Sequence, residues 1–184
     1  MLNEQEKIEL LRLARSTLEA YLKERRFPRI EPSHARLKEN GGAFVTLERF
    51  GELRGCIGHL AADKPLSLTV QEMAIEAATG DPRFGAVTED ELPDLEIEIS
   101  VLADFRKIRD VSEIRIGEHG LIVGDGRRRG LLLPQVAARE GWDVPTFLSA
   151  TCRKAGLPMD AWRKGGIVIE TFTAEVFSEK DLPE

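Results

Sequence analysis

The sequence has few cysteines and no long apolar segments. Only Cys56 and Cys152 occur in 184 residues, whereas a secreted domain held by disulfides is small and cysteine-dense. No run of apolar residues exceeds three, and a membrane span needs about 20. The first residues have neither a basic flank nor an apolar stretch, so we expect no signal peptide. We therefore predict a cytoplasmic protein with no membrane span, in which both thiols are reduced and form no disulfide.

Positive charge is also scarce. Lys and Arg number 26 against 32 Asp and Glu, so the formal net charge is −6. Tight sequence-independent binding of nucleic acid depends on an excess of Lys and Arg, and we expect no strong nucleic-acid binding here. The densest basic cluster is Arg127–Arg129. It is most simply a solvated hairpin tip, and the alternative is a small patch for an anionic partner.

The composition is that of one globular domain spanning residues 1–184. Hydrophobic residues make up 42% and charged residues 32% of the chain, enough for a core and for a solvated surface. Apolar spacing and end signals predict helices over 3–26, 65–80, 134–141 and 146–155. Alternation and turn residues predict strands over 43–49, 52–60, 95–101, 121–123, 131–133 and 167–177. Hairpins are frequent and no regular βαβ rhythm is present, which favours an α+β fold with a mainly antiparallel sheet and flanking helices.

The segment Leu53–His59 carries the most unusual pattern. Two glycines stand inside a predicted strand, which indicates a bulge or a close approach by another group. In a regular strand Arg54 and Cys56 share one face, and a guanidinium beside a thiol increases the thiolate fraction. On this interpretation, Cys56 is a reactive thiol. The alternative is a small buried cysteine in a tightly packed sheet, because free cysteine is among the most buried residue types.

A metal site is the weaker interpretation of the same segment. Cys56 and His59 have a chelating spacing, but a structural zinc site needs four ligands. The other candidates, Cys152, His34 and His119, are isolated in the sequence. We predict no metal and no cofactor.

His119 and Glu98 are further candidates. His119, at the entry to a strand, would act as a general base toward a thiol or substrate, or would be a surface turn residue. Glu98 projects from the face opposite Ile97 and Ile99. It is a solvated charge or, if that face is covered, a carboxylate that needs Arg54 or Arg83 as its partner.

The remaining candidates are polar residues inside apolar segments. Asp81 and Arg83 follow a helix-ending glycine, where Asp initiates a turn and the Arg would tie two lobes together. Gln135 follows Pro134 at a helix start, which would hold an anion or serve as a plain cap. Glu140 and Cys152 complete the set of candidate binding or inter-lobe residues.

Leu53–Gly58 resembles the signature hexapeptide of the AMMECR-type domain family, also called protein A of the AmmeMemoRadiSam system. Later blocks are similar to the family in the same order and cover almost the whole chain. They are Asp81–Phe84, Glu98–Leu102, Ile116–Leu121, Leu132–Val136, Glu140–Trp142 and Phe147–Leu157, followed by Trp162. Gly85 departs from the family, whose members often have proline there, which puts the stiffness of that loop in question.

The resemblance implies an α+β fold with a smaller second lobe beside the main sheet, and an association with Memo-like and radical-SAM proteins. It implies no established reaction. One hypothesis is an enzyme, or its substrate-handling subunit, with Cys56 reactive toward a small molecule in a cleft between lobes, helped by Arg54 and His119. The other is a non-catalytic adaptor in which Cys56 is purely structural. Radical chemistry would belong to a partner, because this chain lacks the cysteine cluster that holds an iron–sulfur centre.

Overall fold

The computed structural model describes residues 1–181 and confirms the α+β fold. The α-helices of this range are α1 (Glu4–Glu24), α2 (Leu66–Thr79), α3 (Pro134–Arg139), α4 (Val144–Lys154) and α5 (Ala161–Lys164). The strands are β1 (Ala43–Arg49), β2 (Glu52–His59), β3 (Leu95–Lys107), β4 (His119–Gly124), β5 (Arg129–Leu132) and β6 (Val168–Ser178). They form one sheet with the order β2-β1-β3-β6-β4-β5. Strand β3 extends beyond its predicted end at Val101, and the short helix α5 was not predicted.

Helix α1 begins as its sequence predicts. The Asn3 side chain accepts a hydrogen bond from the backbone N–H of Glu6 at 3.0 Å, and the Glu6 carboxylate accepts one from the Asn3 N–H at 2.8 Å. This reciprocal capping box satisfies two N–H groups that have no partner within the helix. One stripe of α1 is buried, including Leu10, Leu11 and Leu18.

The chain divides into two compact units. Unit 1 comprises Met1–Leu102 and the segment from Glu175 onward, and unit 2 comprises Ala103–Ala174. Strands β3 and β6 each contribute residues to both units. The cleft expected between two lobes stays a prediction.

In unit 1 the helices cover one face of the sheet. Apolar residues alternate along β1 and β3, and Val45, Leu47, Ile97 and Ile99 are fully buried in one core with α1 and α2. The intervening residues of these strands point to the other face, because successive side chains of a strand alternate. That second face carries polar residues, and Cys56 lies on it.

Unit 2 is built around helix α4. Phe147 and Leu148 of α4 are fully buried with Leu121 of β4. Strand β5 approaches α4 closely, since a Cβ added at Gly130 would lie 2.4 Å from the backbone nitrogen of Ala155. Asp143 starts α4 by accepting a hydrogen bond from the Thr146 N–H at 2.9 Å.

Candidate functional site

Cys56 lies in a row of three side chains that crosses three strands of unit 1. Thr46 of β1 pairs with Cys56 of β2 on one side and with Glu98 of β3 on the other. Directly paired residues of antiparallel strands project to the same face, with Cβ atoms about 5 Å apart. A thiol, a hydroxyl and a carboxylate therefore stand side by side on the face opposite α1 and α2.

The Cys56 sulfur has a specific polar neighbour. The Thr46 hydroxyl donates a hydrogen bond to the sulfur over an Oγ1–Sγ distance of 3.2 Å. Thr46 is buried, and Cys56 is half-buried. A hydroxyl donor is better matched to a thiolate than to a thiol, because hydrogen bonds to a charged acceptor are stronger.

Asp81 holds the backbone of Cys56. The Cys56 N–H donates to a carboxylate oxygen of Asp81 at 2.9 Å. Strand β2 is at the edge of the sheet, so the carboxylate occupies a position where another strand would otherwise bind. Asp81 is buried at 5% exposure, although it lies in a turn after α2.

Arg83 completes this turn. Its N–H donates to the same Asp81 at 3.1 Å, and its guanidinium forms two more hydrogen bonds to that carboxylate, at 2.9 and 2.6 Å. These bonds, together with the Cys56 N–H, hold the pKa of Asp81 well below its ordinary value, although burial acts in the opposite direction. The turn that Asp81 was predicted to initiate is confirmed, with Arg83 bound inside it.

The Arg83 guanidinium also interacts electrostatically with Cys56. Its pKa is raised mainly by the hydrogen bonds to Asp81 and further by the charge interactions with Asp81 and Cys56. The Arg83 guanidinium and the Cys56 N–H both donate to the same carboxylate oxygen of Asp81, Oδ2. This shared oxygen holds the cation near Cys56, where positive charge favours a thiolate. The Asp81 carboxylate offsets part of that positive charge. Of the two groups that would stabilise a Cys56 thiolate, the Thr46 hydroxyl is therefore more specific than the Arg83 guanidinium.

Arg54 has a different role from the one predicted. Its guanidinium binds both oxygens of Glu91, at 2.8 and 3.0 Å, and the carbonyl oxygens of Gly85 and Ala86, at 2.9 and 3.3 Å. The register shifts between Leu47 and Glu48 and leaves Arg54 without a partner on β1. The regular alternation that put Arg54 beside Cys56 therefore fails at this bulge.

The Arg54 contacts stiffen the loop that contains Gly85. Hydrogen bonding from Arg54 lowers the pKa of Glu91 to about 2, and the ion pair raises the pKa of Arg54. Arg49 also reaches Glu91, at 3.2 Å. Gly85 lacks the rigidity of a proline, and hydrogen bonds from Arg54 of β2 restrain the loop instead.

Packing within unit 1 explains the two glycines around Cys56. A Cβ at Gly55 would lie 2.0 Å from the Ala77 carbonyl oxygen of α2, and one at Gly58 would lie 2.2 Å from the Phe44 ring. Helix α2 and an aromatic ring therefore make the close approaches that the glycines allow. The bulge and the close approaches that the glycines indicated are both present, and the approaching groups belong to the protein itself.

His119 is a buried residue of unit 2, at 6% exposure, so the surface-turn interpretation is wrong. Its ring Nδ1 accepts a hydrogen bond from the Arg115 backbone N–H at 3.2 Å, and the backbone N–H of His119 donates to the Arg115 carbonyl at 2.9 Å. In the neutral ring this places the proton on Nε2. Neither ring nitrogen then offers a free lone pair, which argues for a structural role and against a general base.

Cys152 lies in an apolar cluster of unit 2 with Val123, Leu157 and Ala161. It is fully buried, and burial raises the pKa of its thiol. Both properties make a thiol unreactive. Both cysteines are free thiols.

The other predicted residues of unit 2 lie on helix α3. Pro134 is its first residue, Gln135 follows in the first turn, and Glu140 is the exposed residue at its C-terminal end. Glu98 of unit 1 is half-buried. Its two expected partners bind other carboxylates, Arg54 that of Glu91 and Arg83 that of Asp81.

The candidate metal ligands are not clustered. Residues 1–181 contain no group of three or more His, Cys, Asp and Glu side chains arranged to hold a metal ion. His59 instead contacts Asp63, with Nε2 and Oδ1 2.8 Å apart. Among the helices of the described chain, none has the length and apolarity needed to cross a bilayer.

Sequence reasoning missed Thr46 for an identifiable reason. Phe50 and Gly51 form a two-residue turn, and Arg49 pairs with Glu52. Uninterrupted pairing from there would place Thr46 opposite Gly55. The bulge at Arg54 moves the register by one residue and brings Thr46 opposite Cys56. The two glycines signalled an irregularity in β2 but not its position.

The fold and the site together define an α+β protein with a polar thiol site on one sheet face. The AMMECR1 family model matches residues 11–177. A protein of Methanopyrus kandleri is 45% identical over 181 residues, covering 94% of this chain and 87% of its own, and one of Methanothermobacter thermautotrophicus is 45% identical over 179 residues, covering 92% of each. The chain belongs to the AMMECR1 family.

A solved structure has the same fold. The crystal structure of an uncharacterized protein from Pyrococcus horikoshii matches with a TM-score of 0.89 and 41% identity, over 93% of this chain and 90% of that one.

Proposed function

We propose that this protein acts through a reactive thiol at Cys56, in a modification pathway shared with Memo-like and radical-SAM proteins. The observation that carries the proposal is the hydrogen bond from the Thr46 hydroxyl to the Cys56 sulfur, at 3.2 Å on a polar sheet face. A cysteine that only fills space is served better by apolar neighbours. The partners and the cytoplasmic location come from the family resemblance and from the reduced state expected of two free thiols.

The proposed chemistry is nucleophilic substitution by the Cys56 thiolate, whose proton passes to solvent water, on an electrophilic small molecule. A bond forms from the sulfur to the electrophilic carbon, and the bond from that carbon to a leaving group breaks, with the electron pair departing on the leaving group. Thr46 stabilises the thiolate by donating its hydroxyl, and Arg83 adds positive charge nearby. Asp81 positions the cysteine by binding its backbone N–H. Arg54 acts at one remove, by holding the loop after Asp81 through Gly85 and Ala86.

The test is the pH dependence of alkylation of Cys56 by iodoacetamide, with Cys152→Ala as the background so that one thiol remains. We expect Thr46→Val to slow the reaction at pH 7 by about tenfold, as a change of about 1.4 kcal/mol in thiolate stability requires. Thr46→Ser retains the donor and should restore most of the rate. Arg83→Gln should slow the reaction by a smaller factor.

Equal rates for the Thr46→Val and Thr46→Ser variants would contradict the proposed role of the hydroxyl. A folded protein whose Cys56 resists alkylation between pH 6 and pH 9 would contradict the reactive thiol altogether. Circular dichroism on each variant separates loss of reactivity from loss of fold.

A non-catalytic adaptor is the second candidate. A groove of about 480 Å³ in unit 1 has a mixed lining, in which the apolar residues include Phe27, Ile30 and Leu68 and the charged ones are Arg29, Glu31 and Lys38. Phe27 and Ile30 are 37% and 38% exposed, and exposed apolar patches mark interaction sites. An adaptor predicts that Ile30→Asp abolishes binding of a Memo-like partner while Cys56→Ser leaves it unchanged.

A further inference from the structure

A basic cleft lies on unit 2, in a protein whose overall charge is negative. The cleft has a volume of about 340 Å³, and its charged lining residues include Lys107, Arg127, Arg129 and Glu170. Ile122 and Val168 supply apolar surface. All of these residues lie between Ala103 and Ala174.

The sheet of unit 2 explains the shape of this cleft. Gly124 of β4 pairs with Arg129 of β5 on one side and with Val168 of β6 on the other. The three residues therefore form a row in which the middle position has no side chain. This gap leaves a depression between the Arg129 side chain and Val168. Glu170 pairs with Ile122 two positions away, on the same face.

The positive charges of the cleft are unevenly compensated. Arg129 pairs with Glu170 at 3.0 Å, and Arg128 pairs with Asp125 at 2.8 Å while also donating to the Gly156 carbonyl. Within residues 1–181, neither Lys107 nor Arg127 forms an ion pair. Both are exposed. The cleft thus holds two cations without an ion-pair partner among the described residues, Lys107 and Arg127. Beside them is the Arg129–Glu170 ion pair, in which an anionic ligand can replace Glu170.

We infer that this cleft binds a small phosphate-bearing molecule. Its volume falls within the range of about 300–1,000 Å³ typical of small-molecule sites. Arginine guanidinium groups match phosphate oxygens with paired donors, and lysine binds phosphate as a point charge. A phosphate group would lie between Lys107 and Arg127, and an attached apolar portion would lie against Val168, which is 46% exposed.

Of the cleft residues within 1–181, Glu170 is the one whose substitution should strengthen anion binding. Its carboxylate repels an anion and occupies Arg129. Replacing it removes the repulsion and releases a third cation. An anion site in this cleft therefore predicts that Glu170→Gln tightens binding, whereas most substitutions in a binding site weaken it.

The experiment titrates pyrophosphate into the full chain and follows backbone amide signals by NMR. We expect shifts centred on 124–129, with a dissociation constant of about 1 mM or lower at low salt, weakening toward physiological salt through screening. Lys107→Gln combined with Arg127→Gln should weaken binding at least fivefold. Glu170→Gln should tighten it about threefold.

The matched control replaces Arg153 and Lys154 with Gln, because both are exposed cations of unit 2 on helix α4. It removes the same charge, and binding should stay within twofold of the original. Citrate tests whether carboxylates suffice, and binding as tight as that of pyrophosphate would overturn the assignment to phosphate. Equal losses in the control and in the cleft variant, or no tightening by Glu170→Gln, would overturn the site.

Discussion

Cys56 of unit 1 is half-buried on a polar sheet face with a hydroxyl 3.2 Å from its sulfur, whereas Cys152 of unit 2 is fully buried among apolar side chains. The surroundings of the two thiols therefore have opposite effects on their reactivity. Burial raises the pKa of the Cys152 thiol and disfavours its thiolate. At Cys56 the neighbours are a hydroxyl donor and a guanidinium, both of which favour the thiolate.

The turns Asp81–Arg83 of unit 1 and Asp125–Arg128 of unit 2 also differ in their surroundings. Asp81 is buried and binds Arg83 together with the N–H of Cys56. Asp125 tops the hairpin of unit 2, where it binds the N–H groups of Arg127 and Arg128 and the guanidinium of Arg128. The pKa of each aspartate is lowered, chiefly by Arg83 at Asp81 and by the backbone N–H of Arg128 at Asp125. Only the turn at Asp81 reaches a neighbouring strand, and it does so at the cysteine.

The largest expected effect distinguishes these two turns. Asp81→Asn should lower the free energy of unfolding by about 3 kcal/mol, because it weakens charged hydrogen bonds at a buried site. In a chain of this size that corresponds to a fall in Tm of about 6–12 °C. Asp125→Asn is the matched control, and its effect should be less than half as large. Equal falls in Tm would show that burial does not separate the two turns.

Acid should remove a defined part of the stability of unit 1. The folded pKa of Glu91 is about 2 against an ordinary 4.5, so its contribution is fully present above about pH 5 and is lost as pH falls toward 2. Each pKa unit is worth about 1.4 kcal/mol before solvent screening reduces it. We expect Glu91→Gln to cost about 2 kcal/mol at pH 7.

Urea unfolding of wild type and Glu91→Gln at several pH values measures this contribution. The difference between the two proteins should shrink steadily below pH 5 and vanish near pH 2. A difference that stays constant over this range would mean that the charge of Glu91 does not contribute to the stability.

Serine substitutions compare the two cysteines directly. Cys152→Ser places a hydroxyl in an apolar cluster, which should cost about 1–2 kcal/mol. Cys56→Ser retains a partner in Thr46 and should cost less than half as much. Thermal unfolding of both variants gives the comparison. A larger loss at Cys56 than at Cys152 would favour the structural interpretation of Cys56.

The smallest expected effect is a gain of stability in the loop beside the thiol site. A Cβ at Gly85 meets no atom within 4 Å, and the backbone there is outside the left-handed region. Gly85→Ala should therefore stabilise the protein by about 0.4–1 kcal/mol, because it restricts the unfolded chain. Gly58→Ala is the opposing control, since its Cβ would collide with Phe44. Destabilisation by Gly85→Ala would show that the loop needs glycine.

Local patterns predicted the elements of the fold well. The helix predicted over 3–26, the strands predicted over 43–49 and 52–60 and the helix start at Pro134 are all present, because each depends on residues a few positions apart. The continuation of β3 to Lys107 was missed because Leu102, an apolar residue at a polar position, interrupts the alternation. Asp104 has a φ of 52°, an irregularity that no alternation pattern reveals.

The site was only partly predictable. Cys56, Asp81 and Arg83 were identified from their sequence context, but Arg54 was assigned to the wrong neighbour and Thr46 was missed. Both errors have one cause, the bulge at Arg54, which depends on how β1 and β2 pair. The charged partner of Arg54 is Glu91, 37 residues away, and nothing in the local sequence links the two.

The most direct test of the account is the relative labelling of the two cysteines in the folded wild-type protein. Brief treatment with iodoacetamide at pH 7, followed by unfolding, labelling with a second reagent and mass spectrometry, reports both thiols in one sample. The account predicts that Cys56 carries the first label and Cys152 the second, with rates that differ at least a hundredfold. Protection of Cys56 to the same degree as Cys152 would contradict it.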